Sequence, residues 1–86
     1  MLTVRLSAEE ETRLQGKLTE DLNRASEALS FIQGRVLTRE QADSRSLAED
    51  FLKSAVAARA SDLVRAGTLA EKARLLAEEL KSQVMK

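Results

Sequence analysis

The sequence contains no cysteine, histidine, proline, tryptophan or tyrosine, and these absences limit the kinds of reactive site, metal site and core that the chain can form. Without cysteine there are no disulfides, thiolate nucleophiles or cysteine-bound zinc, and without histidine the commonest metal ligand and general base is missing. Because proline is absent and glycine occurs only three times, few residues interrupt a helix, which favours long helices. Only Phe31 and Phe51 are aromatic, so the core must be built from aliphatic side chains.

Charge and hydropathy set further bounds on the 86-residue chain. Its 14 basic and 14 acidic residues give zero net charge, which offers little electrostatic attraction for nucleic acid or a membrane surface. No stretch approaches the roughly 18 apolar residues that cross a bilayer. The opening residues have no apolar signal-peptide core and carry a charge at Arg5. We therefore expect a cytoplasmic protein, and the abundance of alanine, arginine and leucine is typical of bacterial proteins.

No group of residues predicts catalysis or the binding of a metal or cofactor. The neighbouring carboxylates of Glu49–Asp50 and of Glu78–Glu79 would point about 100° apart on a helix and so could not share a site. No serine or threonine lies in a nucleophile motif, and glycine-rich phosphate-binding loops are absent. The sequence thus predicts that the protein is not an enzyme and has no cofactor.

A long first helix is predicted over residues 8–37. Ser7 and Glu10 form a capping box at its start, in which each side chain can accept a hydrogen bond from the backbone of the other residue. Apolar residues then recur at spacings of three and four, the heptad pattern of a helix that packs against another helix. This stripe comprises Leu14, Leu18, Leu22, Ala25, Leu29, Ile32 and Val36.

Two more helices follow. The second begins at residue 39 or 47, because Thr38–Gln41 and Ser46–Glu49 are both capping boxes, and it extends to residue 66. Gly67 is typical of a residue that ends a helix, and Thr68 with Glu71 would cap a short third helix over residues 69–84.

These elements predict a single all-α domain: a long helical hairpin plus a third short helix, in a three-helix bundle or coiled-coil-like arrangement. A short third helix would leave part of the stripe uncovered, and an exposed leucine stripe is an association surface. We therefore expect a helix-mediated protein–protein interaction module that binds either a second copy, as a dimer, or another helical protein. The expected partner-binding residues are Leu14, Leu18, Leu22, Leu29, Ile32, Val36 and Phe31. For Phe31, the alternative is that a helix of the same chain packs on that flank.

The N-terminus supports an alternative hypothesis. Residues 2–6 alternate apolar and polar side chains before a capped helix, with a possible second helix start at Arg24-Ala25-Ser26-Glu27. This resembles the opening of ribbon-helix-helix DNA-binding proteins of the antitoxin type. The resemblance implies a short N-terminal strand whose Thr3 and Arg5 face DNA, and a turn near Leu22-Asn23. The uninterrupted stripe favours one continuous helix there instead, and the zero net charge argues against nucleic acid.

Overall fold

The computed structural model describes residues 7–85, and within that range the chain forms three α-helices. They are α1 (Ala8–Ile32), α2 (Arg39–Ala58) and α3 (Leu63–Met85). The helices pack together in a bundle-like arrangement, which confirms the prediction of an all-α fold with three helices. The predicted N-terminal strand at residues 2–6 lies outside the described residues.

The first helix begins where the sequence predicts. The Ser7 hydroxyl accepts a hydrogen bond from the Glu10 amide at 3.1 Å, and the Glu10 carboxylate accepts one from the Ser7 amide at 3.3 Å. Hydrogen bonding to the side chain and backbone of Ser7 holds the pKa of the Glu10 carboxyl below its ordinary value of 4.5. The stability that this cap adds is therefore present above that ordinary value and is lost as the pH falls through the lowered pKa.

The end of α1 is a correction to the sequence prediction. The helix stops at Ile32 and does not continue to residue 37. Gln33 has an extended backbone with ψ of 132°, and Gly34 adopts a positive φ of 80°. A residue with positive φ cannot continue a right-handed helix, and glycine adopts that conformation without steric cost. Val36, the last residue of the predicted stripe, consequently lies in the loop between α1 and α2.

The second helix uses the first of its two alternative caps. The Thr38 hydroxyl accepts a hydrogen bond from the Gln41 amide at 3.1 Å, and the Gln41 side chain accepts one from the Thr38 amide at 3.0 Å. Ser46 and Glu49 lie inside the helix and do not begin it. The C-terminal boundary at residue 66 was wrong, because α2 already ends at Ala58.

The predicted helix boundary at Gly67 was also wrong. α3 begins at Leu63, and the Asp62 carboxylate accepts a hydrogen bond from the Arg65 amide at 3.1 Å, as an N-cap side chain does. Gly67 therefore lies within α3. This early start places Ala66 in the core beside Ala70, a contact that a helix end at Gly67 would weaken.

The predicted capping box of Thr68 with Glu71 is likewise absent. The Thr68 hydroxyl donates a hydrogen bond to the Val64 carbonyl at 3.2 Å, the usual arrangement for a threonine inside a helix. With this earlier start α3 has 23 residues against 25 in α1, so it is not the short helix expected from the sequence. The difference in helix length that predicted an uncovered stripe does not exist.

The third helix lies between the other two. It contacts both α1 and α2, whereas α1 and α2 make few contacts with each other. Asp21 pairs with Arg74, and Arg24 pairs with Glu78 further along both helices, so α1 and α3 run parallel. α2 is joined to α3 by the short turn at residues 59–62 and runs antiparallel to it.

The core is built mainly from alanine. Of the twelve apolar side chains buried within residues 7–85, eight are alanines, at positions 25, 28, 48, 55, 66, 70, 73 and 77. Four of them lie on α3 at spacings of four, three and four, so they form one narrow face. Small side chains allow helix backbones to approach closely, but each buries little area, and burial stabilises by only about 25 cal/mol per Å².

Gly67 provides a test of these helix boundaries. A Cβ atom added there meets nothing within 4 Å, so Gly67→Ala should raise the free energy of unfolding by about 0.5–1 kcal/mol through helix propensity alone. Gly34→Ala is the matched control and should destabilise the protein, because alanine is strained at positive φ. Urea denaturation followed by circular dichroism measures both effects. Destabilisation by Gly67→Ala would contradict a continuous α3.

Candidate functional site

An open groove lies between α1 and α2. Both helices lean on α3 and make few contacts with each other, which leaves a cleft of about 470 Å³ between them. Residues from both helices line it: Ser26, Leu29, Ser30, Gln33, Arg45, Glu49, Leu52 and Lys53. At the other end of α2, Arg59 Nη2 donates a hydrogen bond to Thr19 Oγ1 at 3.4 Å and connects α2 to α1. The groove therefore opens towards the loop that joins the two helices.

The α1 wall of the groove carries no charge. Ser26, Leu29, Ser30 and Gln33 form it, and Leu29 is half-buried. The charged residues of α1 that make ion pairs lie on the flank that faces α3. Depletion of charge at the centre of a surface patch is a feature of protein–protein interfaces.

The α2 wall combines an apolar floor with basic side chains. Leu52 is half-buried in the groove, and Val56, one turn further along α2, is 57% exposed. Arg45 Nε lies 4.0 Å from Glu49 Oε1, which is a weak ion pair without a hydrogen bond. Lys53 makes no ion pair within residues 7–85. The groove thus carries a small excess of positive charge.

A chain of charged residues fixes the opposite flank of α1 to α3. Asp21, only 3% exposed, receives Lys17 Nζ at 2.8 Å and lies 2.8 Å from Arg74 Nε. The Arg74 Nε contact is an ion pair without hydrogen-bond alignment, whereas Arg74 Nη1 donates to Glu78 at 3.0 Å. Glu78 also accepts from Arg24. The hydrogen bond to Glu78, with the nearby charge of Asp21, raises the pKa of Arg74 further above its ordinary value, so its charge is permanent.

Phe31 lies on this same α3 flank, outside the groove. Its ring is 4.4 Å from the Arg35 guanidinium carbon and 4.9 Å from Lys81 Nζ, distances at which cation–π attraction operates. Lys81 belongs to α3, so a helix of the same chain covers part of this flank. Phe31 is only partly exposed, and these contacts favour the intramolecular alternative over a partner anchor.

The predicted partner-binding stripe divides into three groups. Leu18 and Ile32 have no exposed surface and Leu22 is 9% exposed, so these three pack inside the chain's own core and are removed from the partner surface. Leu14 and Leu29 remain partly exposed. Val36 is 99% exposed but stands on the loop, not on the helix face. Of the stripe, only Leu29 lines the groove.

The described residues do not support the DNA-binding alternative. Thr3 and Arg5 lie outside the described residues. The turn that a ribbon-helix-helix fold requires near Leu22-Asn23 does not occur, because α1 continues through both positions. The heptad spacing across this point correctly indicated one helix.

Comparison of this chain with protein families, curated protein sequences and solved structures found no match. Within residues 7–85, no three acidic side chains converge as metal ligands would. None of the three described helices is long and apolar enough to cross a membrane. The groove between α1 and α2 is therefore the candidate functional site.

Sequence reasoning missed both the groove and the buried carboxylate, although each left a signal. Lys17–Asp21 and Arg74–Glu78 are pairs of opposite charge at a spacing of four, and Asp21 falls on the buried side of α1 with Leu18 and Ala25. The groove wall is marked by uncharged polar residues at positions 26, 30 and 33 beside Leu29. What spacing could not reveal is which helix would occupy the central place.

The buried carboxylate should be a stability determinant. Asp21→Ala removes the partner of Arg74 and Lys17 at a buried position, and we expect a loss of about 1–3 kcal/mol in the free energy of unfolding. Glu20→Gln is the matched control, because Glu20 is exposed and its ion pair with Arg24 is long, at 3.8 Å. This substitution should lower the free energy of unfolding by less than about 0.5 kcal/mol. Urea denaturation compares the two variants. Equal effects would mean that Asp21 has no special role.

Proposed function

We propose that the protein is a non-enzymatic, helix-mediated protein–protein interaction module, and that the partner helix lies in the groove between α1 and α2. The observation that carries this proposal is the separation of α1 from α2, which leaves Leu29 and Leu52 half-exposed on facing walls. A helix placed there would lie opposite α3 and complete a four-helix arrangement.

The groove refines the surface expected from the sequence. Leu29 remains a partner-binding residue, and Leu52 from α2 joins it, while the buried leucines of the stripe support α1 from within. Complete burial of a large apolar side chain stabilises by roughly 1.5–3 kcal/mol. Because both leucines are already half-buried, their further burial supports an interaction of moderate strength.

The rest of the proposal rests on composition. The absence of histidine and cysteine supports a role without catalysis. We also propose a cytoplasmic location on the basis of the composition. Groups on the partner that face Ser26, Ser30 and Gln33 would need to be small or able to form hydrogen bonds, because these walls are polar.

Blocking the groove tests the proposal. Ser30→Trp places a large side chain on the α1 wall at an exposed position and should weaken helix binding at least about tenfold, or about 1.4 kcal/mol. The probe is a fluorescein-labelled amphipathic peptide of about 18 leucine-, alanine- and glutamate-containing residues, long enough to be helical. Fluorescence anisotropy measures its affinity for the full chain.

Ser54→Trp is the matched control for this experiment. Ser54 is exposed on α2 but does not line the groove, so the same substitution there should leave peptide binding unchanged. Circular dichroism should report the same helicity for both variants. The proposal fails if the unmodified chain does not bind the peptide, or if the two tryptophan variants bind it equally well.

A further inference from the structure

The outer face of α3, on the far side of the molecule from the groove, carries an exposed stripe. Val64 and Leu75 are two of the six exposed large apolar side chains within residues 7–85, at 55% and 52%. They share one face of the helix with four exposed polar or acidic residues. We refer to this set as the α3 ridge: Val64, Thr68, Glu71, Leu75, Glu79 and Ser82.

The ridge and the groove carry opposite charges at the same spacing. On the ridge, Glu71 and Glu79 are eight positions apart with Leu75 midway between them. On the α2 wall of the groove, Arg45 and Lys53 are also eight positions apart, with Glu49 midway between them. At a rise of 1.5 Å per residue, both separations are about 12 Å along the helix.

The charges on the two surfaces are also largely available. Within residues 7–85, Glu71, Glu79 and Lys53 make no ion pair, and Arg45 has only the 4.0 Å contact with Glu49. Exposed charges with no partner in the same chain can pair with a second molecule at little cost in lost contacts.

We propose that the helix that occupies the groove is the α3 ridge of a second copy of this chain. This inference rests on the proposed function, since it names the partner of the same groove. Leu75 of one copy enters between Leu29 and Leu52 of the next, and Glu71 and Glu79 face Arg45 and Lys53. In this placement Leu75, midway between the two acidic residues, lies at the level of Glu49 on α2, and Leu52 lies within one helical turn of that position.

The placement of the two surfaces determines the kind of assembly. The groove and the ridge lie on opposite sides of the molecule, so one contact leaves a free groove on one copy and a free ridge on the other. Such head-to-tail contacts produce open chains of subunits or rings, not a symmetric closed dimer. The contact spans only about two turns of helix. Small interfaces are typically transient, so association should depend strongly on concentration.

Reciprocal charge reversal tests this contact in the full chain. The ridge variant is Glu71→Lys with Glu79→Lys, and the groove variant is Arg45→Glu with Lys53→Glu. In each variant alone, groove and ridge carry the same sign, so self-association should weaken at least about tenfold. In an equimolar mixture both contacts are of opposite sign again, and association should return. Sedimentation equilibrium over a range of concentrations measures the mass.

Two controls accompany this experiment. Glu9→Lys with Glu11→Lys makes the same change in net charge as the ridge variant, but on the exposed first turn of α1, and should leave self-association unchanged. Leu75→Asp removes the apolar contact at an exposed position and should abolish association without a loss of helicity.

The proposal is overturned if the unmodified chain is monomeric at every concentration, or if the charge reversals leave association unchanged. If the amphipathic peptide nevertheless binds and Ser30→Trp blocks it, the groove is a helix-binding site for a different protein. If the peptide also fails to bind, the proposed function fails as well.

Discussion

The close approach of α3 to two neighbouring helices is the constraint on which the other features depend. α3 presents alanines at positions 66, 70, 73 and 77, and the facing residues of α1 and α2 include further alanines. A methyl group is the largest side chain that allows backbones to approach so closely on both sides. Since α3 uses the inner faces of both neighbours, α1 and α2 are left with little direct contact. The groove is a direct consequence of this packing.

The alanine core leaves a need for specificity, which the charged chain on the other flank of α1 supplies. Alanine faces are similar from turn to turn, so a shift of one helix along another would change the apolar contacts little. Asp21 and Arg74 remove this ambiguity, because a shifted register would leave a buried carboxylate without its guanidinium. We therefore expect the pair to select one register in addition to stabilising the fold. The charges of α1 that pair with α3 lie on this flank, away from the groove.

Local signals in the sequence were sufficient for the fold class and for the start of α1, and they gave the start of α2 as one of two alternatives. The capping boxes of Ser7–Glu10 and Thr38–Gln41 are formed as predicted, because both partners lie within one turn. The prediction that a helix ends at Gly67 was wrong, because a glycine weakens a helix but does not by itself end it. The burial of Ala66 favours the continuation of α3 through this position. The sequence also did not show which helix packs between the other two. Leucines dominate the sequence pattern, yet alanines determine which helices pack together, because their small side chains allow the backbones to approach closely. The spacing of large apolar residues does not show where this close approach occurs.

The central position of α3 also accounts for a candidate site in a chain without histidine or cysteine. A three-helix protein whose consecutive helices pack pairwise would close its core and leave only surface. Here the last helix takes the central position, so the first two are held apart, with Leu29 on one wall and Leu52 on the other. The leucine stripe of α1 therefore has two roles along one face. Leu18, Leu22 and Ile32 are buried and hold the helix in place, and Leu29 lines the groove, where we propose that a further helix binds.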